Sequence, residues 1–489
     1  MKKVLIITSR KAYPMLLKAV KEIEQQLGRE YDITIKDLPI DVIALATREF
    51  LEHHLTKLDL SSYDYVIIPG TVKHDLRRLS EEIGVKIIKS PTRISLLKTM
   101  FLLGLEKFSP SISGDEVIKK NLTILLDKAY SYYAGISEGI KVGDLVIPFN
   151  PPPFIVGFYL DHKWMGKWIK KYIQKYRPHI LYIPSDSFEF IQNYIELDNY
   201  ILAIPTDLIK VEDISDRAKI LYGLSPSQIR DYMGLDYILQ VNISDPAEIE
   251  KIMEDWGESA NIIYNLVIPS TKNILKTLYG IKHYNKAVIS TWITSISSLF
   301  DIDSHSLHAF LMELFREAGI SLVIVAEFEE KLFWSLREVM VSKDLITLST
   351  YLGTEPRDLG LDLLYVKDKE YYDIDLGIVD KVIISEDEIN EPYKYKLDPL
   401  GIFKIKVNHR EEYIETLYIG RKGRILIKGK TEEAIRRIIL REKLISLMSH
   451  AFYLGRELGK AEEALRIGKN YEQEKPLLRK PESLKVGKG

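Results

Sequence analysis

VIPFNPPPFIVGFYL, residues 146–160, marks the point where the chain commits to its fold. Pro151, Pro152 and Pro153 each fix φ and so stiffen a linker. Directly behind them, residues 154–160 form an almost unbroken apolar run, the pattern of a strand with both faces covered. Seven further runs follow: HILYIP, YILAIP, YILQVN, NIIYNLVIP, KAVIST, SLVIVAEF and DLLYVKD. They are separated mostly by helical patterns. Eight strands alternating with helices predict a (β/α)8 barrel over residues 145–385. The last run is the one that a smaller barrel would leave outside.

Upstream, KKVLIITS, YDITIKDLPI, YDYVIIPG and VKIIKS alternate with helical stretches. This predicts a Rossmann-like parallel α/β domain over residues 1–135. Such sheets bind ligands beyond the carboxyl ends of their strands, where the loops carry Thr8, Ser9, Lys73, His74, Asp75 and Arg93. No GxGxxG or P-loop pattern follows the first strand, so a dinucleotide is not indicated. Lys73-His74-Asp75 reads either as an anion-holding helix start or as a solvated turn.

Downstream, DPLGIFKIKV, YIETLYIG and RILIKG alternate apolar and polar residues before a long helical region. They predict an antiparallel sheet with one or two helices, an α+β module over residues 392–470. The polar, lysine-rich residues 471–489 read as a flexible tail. In HAFYLGRELGKAEEALRIGKNYEQEKPL, residues 450–477, Ala451, Leu454, Leu458, Ala461 and Leu465 recur at helical spacing and form a core stripe. Gly455 and Gly459 lie on a neighbouring stripe, each costing about 1 kcal/mol of helix propensity. The expectation is that they face a closely approaching backbone, from the barrel or from a second copy of the chain.

The 489 residues carry a formal charge of -2, with 28% charged and 46% hydrophobic residues. That balance is globular and gives no basic field for nucleic acid or anionic membrane. There is no cysteine, which removes disulfides, thiol nucleophiles and cysteine-ligated metal centres. No run approaches a membrane span, and Met1 leads directly into a strand. The expectation is a cytoplasmic protein.

The segments HAFYLGRELGKAEEALRIGKNYEQ, DPLGIFKI, DIDSHSLHAFL, AEFEEK and PRDLGLDLLYVKDK together resemble the archaeal dihydropteroate synthase-like family. The resemblance covers nearly the whole chain and implies a central dihydropteroate synthase-like TIM barrel between the flanking modules. It implies a tie to pterin and one-carbon metabolism, in archaea that of tetrahydromethanopterin, with a reduced pterin as ligand and no metal. Binding residues carried over are Asn242, Asn265, Asp301, Asp303 and Ser304, and catalytic ones Glu327 and Lys331. Against the family pattern, Tyr182 and Pro184, then Pro205, then Asn265 stand where acidic or glycine residues are expected. Thr294, Ser295 and Ser298 replace a Gly-Asn-x-x-Glu loop. These departures imply a diverged pocket without dihydropteroate synthase activity, a pseudoenzyme in that sense. If active, the chain would be a pterin-dependent transferase. The alternative is a non-catalytic scaffold acting through a protein partner or as a homo-oligomer. Two local readings stay open. Asp301, Asp303 and His305 suit a metal site or simply a capped helix. Glu327 with Lys331 suits an acid/base or phosphate-binding pair, or a surface ion pair.

Overall fold

A computed structural model of the chain describes residues 1–27, 30–164, 168–211, 217–257, 261–272, 274–364 and 397–478. The chain divides into two compact units. Met1–Trp164 and Ile173–Leu363 belong to the larger, and residues 397–478 to the smaller.

The larger unit opens with a parallel sheet of β1 Lys2–Ser9, β2 Tyr31–Leu38, β3 Tyr65–Ile68 and β4 Lys86–Lys89, in the order β2-β1-β3-β4. Val4 and Ile6 of β1 point into one core and Leu5 and Ile7 into another. Both faces are therefore covered, which is why this strand shows no polar alternation. Helix α1, Tyr13–Leu27, links β1 to β2.

A hairpin of β5 Gly139–Val142 and β6 Leu145–Pro148 leads into the barrel. Its staves are β7 Ile155–Tyr159, β8 Ile180–Tyr182, β9 Ile201–Ile204, β10 Ala218–Leu224, β11 Ile238–Ile243, β12 Ile262–Leu266, β13 Val288–Trp292 and β14 Ile320–Val325. The ring closes through parallel pairing of β14 with β7. The eighth strand is not the expected one. AKILYGL of β10 takes the place in the ring, whereas Asp362, Leu363 and Leu364 of DLLYVKD form no strand and the rest of that run lies outside the described residues. The reason is local. Gly223 of β10 adopts φ +83, and the register against β11 shifts between Leu221 and Leu224. A bulge of this kind bends the strand and breaks its apolar run. At the amino-terminal end the barrel interior is filled by Ile155, Ile180, Ile238, Ile263 and Val288, joined by Ile140 and Ile147 of the hairpin.

The helix Ser335–Leu352 carries buried residues all around its circumference. Leu345, Leu348 and Leu352 share a core with Leu16, Leu97 and Leu125 of the amino-terminal domain. Tyr130 donates to Asp344 Oδ1 at 2.5 Å, and Lys98 Nζ to the Leu352 carbonyl at 3.0 Å. A helix packed on both sides cannot show a single apolar stripe.

The smaller unit is an antiparallel meander of β15 Gly401–Asn408, β16 Tyr413–Gly420 and β17 Gly423–Gly429, covered by helices Glu432–Arg441 and Met448–Ile467. Leu454, Leu458 and Ala461 enter its core with Phe403, Tyr418 and Ile435, whereas Ala451 is exposed. Among the described residues nothing meets the packing expectation for the helix glycines. A Cβ at Gly455 or Gly459 would have no atom of the described structure within 4 Å. The stripe lies beside Met448 and Phe452, which are 77% and 75% exposed. The tail read as flexible begins with held residues: Tyr471 donates to Glu457 Oε2, and Gln473 bonds the Ile405 N–H and the Phe403 carbonyl.

Candidate functional site

The carboxyl ends of β7 and β10–β14 surround a cavity of about 460 Å³, in the size range of small-molecule sites. Aromatic rings form its base. Tyr182 is fully buried, with its ring centroid 5.3 Å from that of Tyr222 and 5.9 Å from that of Trp292. Tyr159 stacks edge-on to Trp292 at 5.3 Å. Gly157 makes room for this base, since a Cβ there would come within 2.4 Å of the Tyr182 ring. Burial pushes the hydroxyls of Tyr182 and Tyr222 far above the usual tyrosine value, so both stay neutral.

One wall is a ladder of neutral polar side chains on adjacent strands. Gln240 Nε2 donates to Ser290 Oγ at 2.9 Å, Ser290 Oγ to Asn265 Oδ1 at 3.1 Å, and Asn265 Nδ2 to Asn242 Oδ1 at 2.7 Å. Strand register sets this up, because Asn242 pairs with Asn265 and Asn265 with Ser290. Gln240, Asn265 and Ser290 are at most 3% exposed, while Asn242 is half-buried. Gln240 Oε1 and the Tyr182 hydroxyl are both buried, and neither closes a hydrogen bond of ordinary geometry. A buried acceptor without a partner is costly and sits where a ligand donor could reach it. Among the described residues no carboxylate, ammonium, guanidinium or imidazole lines the cavity.

Asn242 and Asn265 thus lie together in the lining. The other five predicted residues lie elsewhere. Glu327 is buried and accepts from the Leu336 N–H at 3.1 Å, capping the helix that starts after Trp334, whose φ is +74. Lys331 Nζ donates to the carbonyls of Ser298 and Phe300, both at 2.8 Å, with Glu329 at 3.7 Å. Its charge is spent on a loop, and Glu327 is not its partner in any of these bonds. Asp301 and Asp303 are exposed. Asp303 is the amino-terminal cap position of helix Ser304–Ala318, which ends at Gly319 with φ +86. Ser304 Oγ donates to Glu338 Oε2 at 2.7 Å, and His308 Nδ1 lies 3.0 Å from the same atom. This buried trio ties two outer helices together. Among the described residues no group of three His, Asp or Glu side chains could hold a metal ion. Tyr159, Tyr222, Gln240, Thr291, Trp292 and Phe328 are the further aromatic and polar-strand residues of the lining. Their signal was available: each is an aromatic or polar residue at or just inside the carboxyl end of an apolar strand.

In the smaller unit the polar residues are engaged with one another. Asp398 accepts from the N–H groups of Leu400, Ser446 and Leu447 and from the Ser446 hydroxyl, at 2.7–2.9 Å. Burial alone would raise its pKa, but these donors outweigh it and hold the carboxyl far below the usual range. Glu457 has a 1% exposed side chain and receives Lys460 Nζ at 2.7 Å, the Tyr471 hydroxyl at 2.9 Å and the Glu474 N–H at 3.0 Å. Here too the donors overcome desolvation and lower the pKa.

Comparison with known proteins agrees with the coarse form of the resemblance. A family model described as PterinBD-DUF4346 matches residues 397–474, and one for a family of unknown function, DUF6513, matches residues 2–92. The chain is 25% identical over 527 aligned positions to an uncharacterized protein of Methanocaldococcus jannaschii, covering 96% of this chain and 98% of that one. Among solved structures, the dihydropteroate synthase of Yersinia pestis aligns with a TM-score of 0.30 and 9% identity, covering 44% of this chain and 99% of its own. The thiamine phosphate pyrophosphorylase of Pyrococcus furiosus aligns at 0.28 and 9%, covering 41% and 98%. At such scores the likeness adds nothing to the strand pairing, which establishes the barrel by itself. No helix among the described residues is long and apolar enough to cross a membrane.

Proposed function

We propose that the barrel mouth binds a small neutral heteroaromatic ring of the reduced-pterin type and does not carry out the dihydropteroate synthase reaction. One observation supports both halves: an open cavity built of aromatic rings, amides and hydroxyls, with no charged side chain among the described residues of its lining. Flat rings suit the edges of Trp292 and Tyr159. The amino and ring N–H donors of a pyrimidinone edge suit acceptors such as Gln240 Oε1, which is buried and unbonded. Asn242 and Asn265 form the polar wall beside it. A phosphate or diphosphate group would find no cation among the described lining residues, and leaving an anion uncompensated in a half-buried site is costly. Among the described lining residues proton transfer has no titratable group to depend on apart from Tyr159 and Tyr222, whose hydroxyls burial pushes up. The match of residues 397–474 to a family model named for pterin binding favours this ligand class.

Isothermal titration with tetrahydropterin tests the reading. Saturable one-to-one binding is expected, weakened at least tenfold by Trp292→Ala and by Gln240→Leu. No binding, or binding indifferent to both substitutions, would remove the barrel mouth as a pterin site.

A further inference from the structure

The amino-terminal sheet carries a second cavity, of about 320 Å³, at its carboxyl edge. The strand order β2-β1-β3-β4 makes the connections leave β1 in opposite directions on its two sides. Open α/β sheets form a ligand crevice at such a reversal, between β1 and β3 here. Ser9 ends β1 and Pro69 follows β3, and both line the cavity.

Thr8 and Ser9 give the cavity its chemistry. Each is only 3% exposed, and among the described residues neither hydroxyl has a hydrogen-bond partner, although both residues line the cavity. Adjacent residues of a strand point to opposite faces, so the two hydroxyls approach the crevice from both sides of the sheet edge. Next to them begins α1, fifteen residues long with no acidic residue in its first turn. Its positive end is therefore uncompensated by any side chain of that turn. Lys11 stands at the rim, paired to Asp41 at 3.3 Å, with the two side chains 72% and 63% exposed. A pair so exposed is worth little and can be exchanged for another anion. Arg93 also lines the cavity but is already held by Asp358 at 2.5 Å. The Asp41 carboxylate, Thr71, Ser90 and Thr92 also line the cavity, the rest of the lining is apolar, and Met15 and Val42 stay 61% and 46% exposed at its edge.

We propose that this crevice is a second binding site, for a small organic anion with an apolar body. The anionic group is received by the Thr8 and Ser9 hydroxyls, the start of α1 and Lys11, while Met15 and Val42 cover the body. The site uses none of the residues of the barrel mouth.

Phenyl phosphate serves as the probe, titrated into the full chain by calorimetry, with inorganic phosphate and benzyl alcohol as the two halves of the ligand. Saturable binding of phenyl phosphate is expected, with each half at least tenfold weaker. Lys11→Ala and the near-isosteric Thr8→Val should each weaken it at least fivefold with the far-ultraviolet circular dichroism unchanged. Trp292→Ala should leave it unaltered, which separates this site from the barrel mouth. Absence of saturable binding at millimolar probe overturns the site. So does binding that both Lys11→Ala and Thr8→Val leave intact. Binding of inorganic phosphate as tight as the probe removes the apolar body from the proposal.

Discussion

Replacing Asn265 with leucine should lower the stability of the larger unit by about 2 kcal/mol. The substitution nearly conserves volume, so no cavity cost enters. It deletes one acceptor and one donor in the ladder. Asn242 Oδ1 loses its 2.7 Å donor, but that side chain is half-buried at an open cavity, where water can replace the bond cheaply. Ser290 is fully buried and donates to Asn265 Oδ1, so its proton is left without an acceptor. An orphaned buried group costs about 1–3 kcal/mol, and the added apolar area of leucine returns a fraction of that. A second substitution isolates the ladder. Once Ser290→Ala has removed the hydroxyl, Asn265→Leu no longer strands it, so the double variant should be more stable than the sum of the singles by about 1 kcal/mol. Urea unfolding followed by tryptophan fluorescence is the assay, because all five tryptophans lie between positions 164 and 334 and report on this part of the chain. Strict additivity within about 0.3 kcal/mol, or an Asn265→Leu variant as stable as the parent, would refute the ladder.

Gly459→Ala should stabilise the helix by up to about 1 kcal/mol of propensity and so raise the melting temperature, since a Cβ there meets nothing among the described residues. A lowered melting temperature would instead reveal a second backbone on that face, the surviving half of the original expectation. Lys331→Met should cost about 1–2 kcal/mol through its two carbonyl partners while leaving tetrahydropterin affinity within twofold. A lost affinity at parental stability would return Lys331 to the site. His179 is pushed from 6.5 down to about 3 by burial, with the Lys343 charge adding, and its Nδ1 accepts from the Val156 N–H at 3.0 Å. The folded ring stays neutral while the unfolded chain binds a proton below about pH 6.5, so stability is full above that value and falls as pH drops. Between pH 7 and 5 the loss is up to about 2 kcal/mol, reduced in so far as the residue is only partly buried. Chemical denaturation at both pH values should show a shallower loss for His179→Asn, and equal losses would dismiss the histidine as the cause.

The barrel was legible because buried parallel strands write themselves as apolar runs, and seven of the eight were read correctly. The missed strand, Ala218–Leu224, is the one where a glycine bulge interrupts the run. The meander and its helices were legible for the opposite reason, since one solvated face imposes alternation. Asn242 and Asn265 were found because strand-end amides stand out. Glu327 and Lys331 sit in the same loop region, yet sequence cannot show which way a side chain turns. One caps a helix and the other holds two carbonyls. Trp292 and Tyr159 were overlooked because an aromatic residue in an apolar strand reads as core. Gly455 and Gly459 misled because the rule that helix glycines signal close packing needs a neighbour that sequence cannot supply.

The family model named for pterin binding lies on residues 397–474, not on the barrel, and the side chains there bear on what such a match means. Asp398 satisfies four donors, Glu457 three, and Gln473 bridges β15 to the Tyr453 hydroxyl. A ligand competing for any of them would have to displace bonds to a buried carboxylate, at about 1.5–3 kcal/mol each. These residues therefore specify how the tail and the Met448–Ile467 helix close on the sheet. In the larger unit the situation is reversed. Gln240 Oε1 is unbonded at the barrel mouth, and the Thr8 and Ser9 hydroxyls are unbonded at the sheet edge. A buried unsatisfied atom beside open volume, as Gln240 Oε1 is, is where a ligand gains most from binding, because the protein has already borne the cost of desolvating it, whereas the Thr8 and Ser9 hydroxyls open onto the crevice they line. The family-model match and the two proposed sites thus lie in different parts of the chain. Substitutions in the first should cost stability, and substitutions in the second should cost affinity.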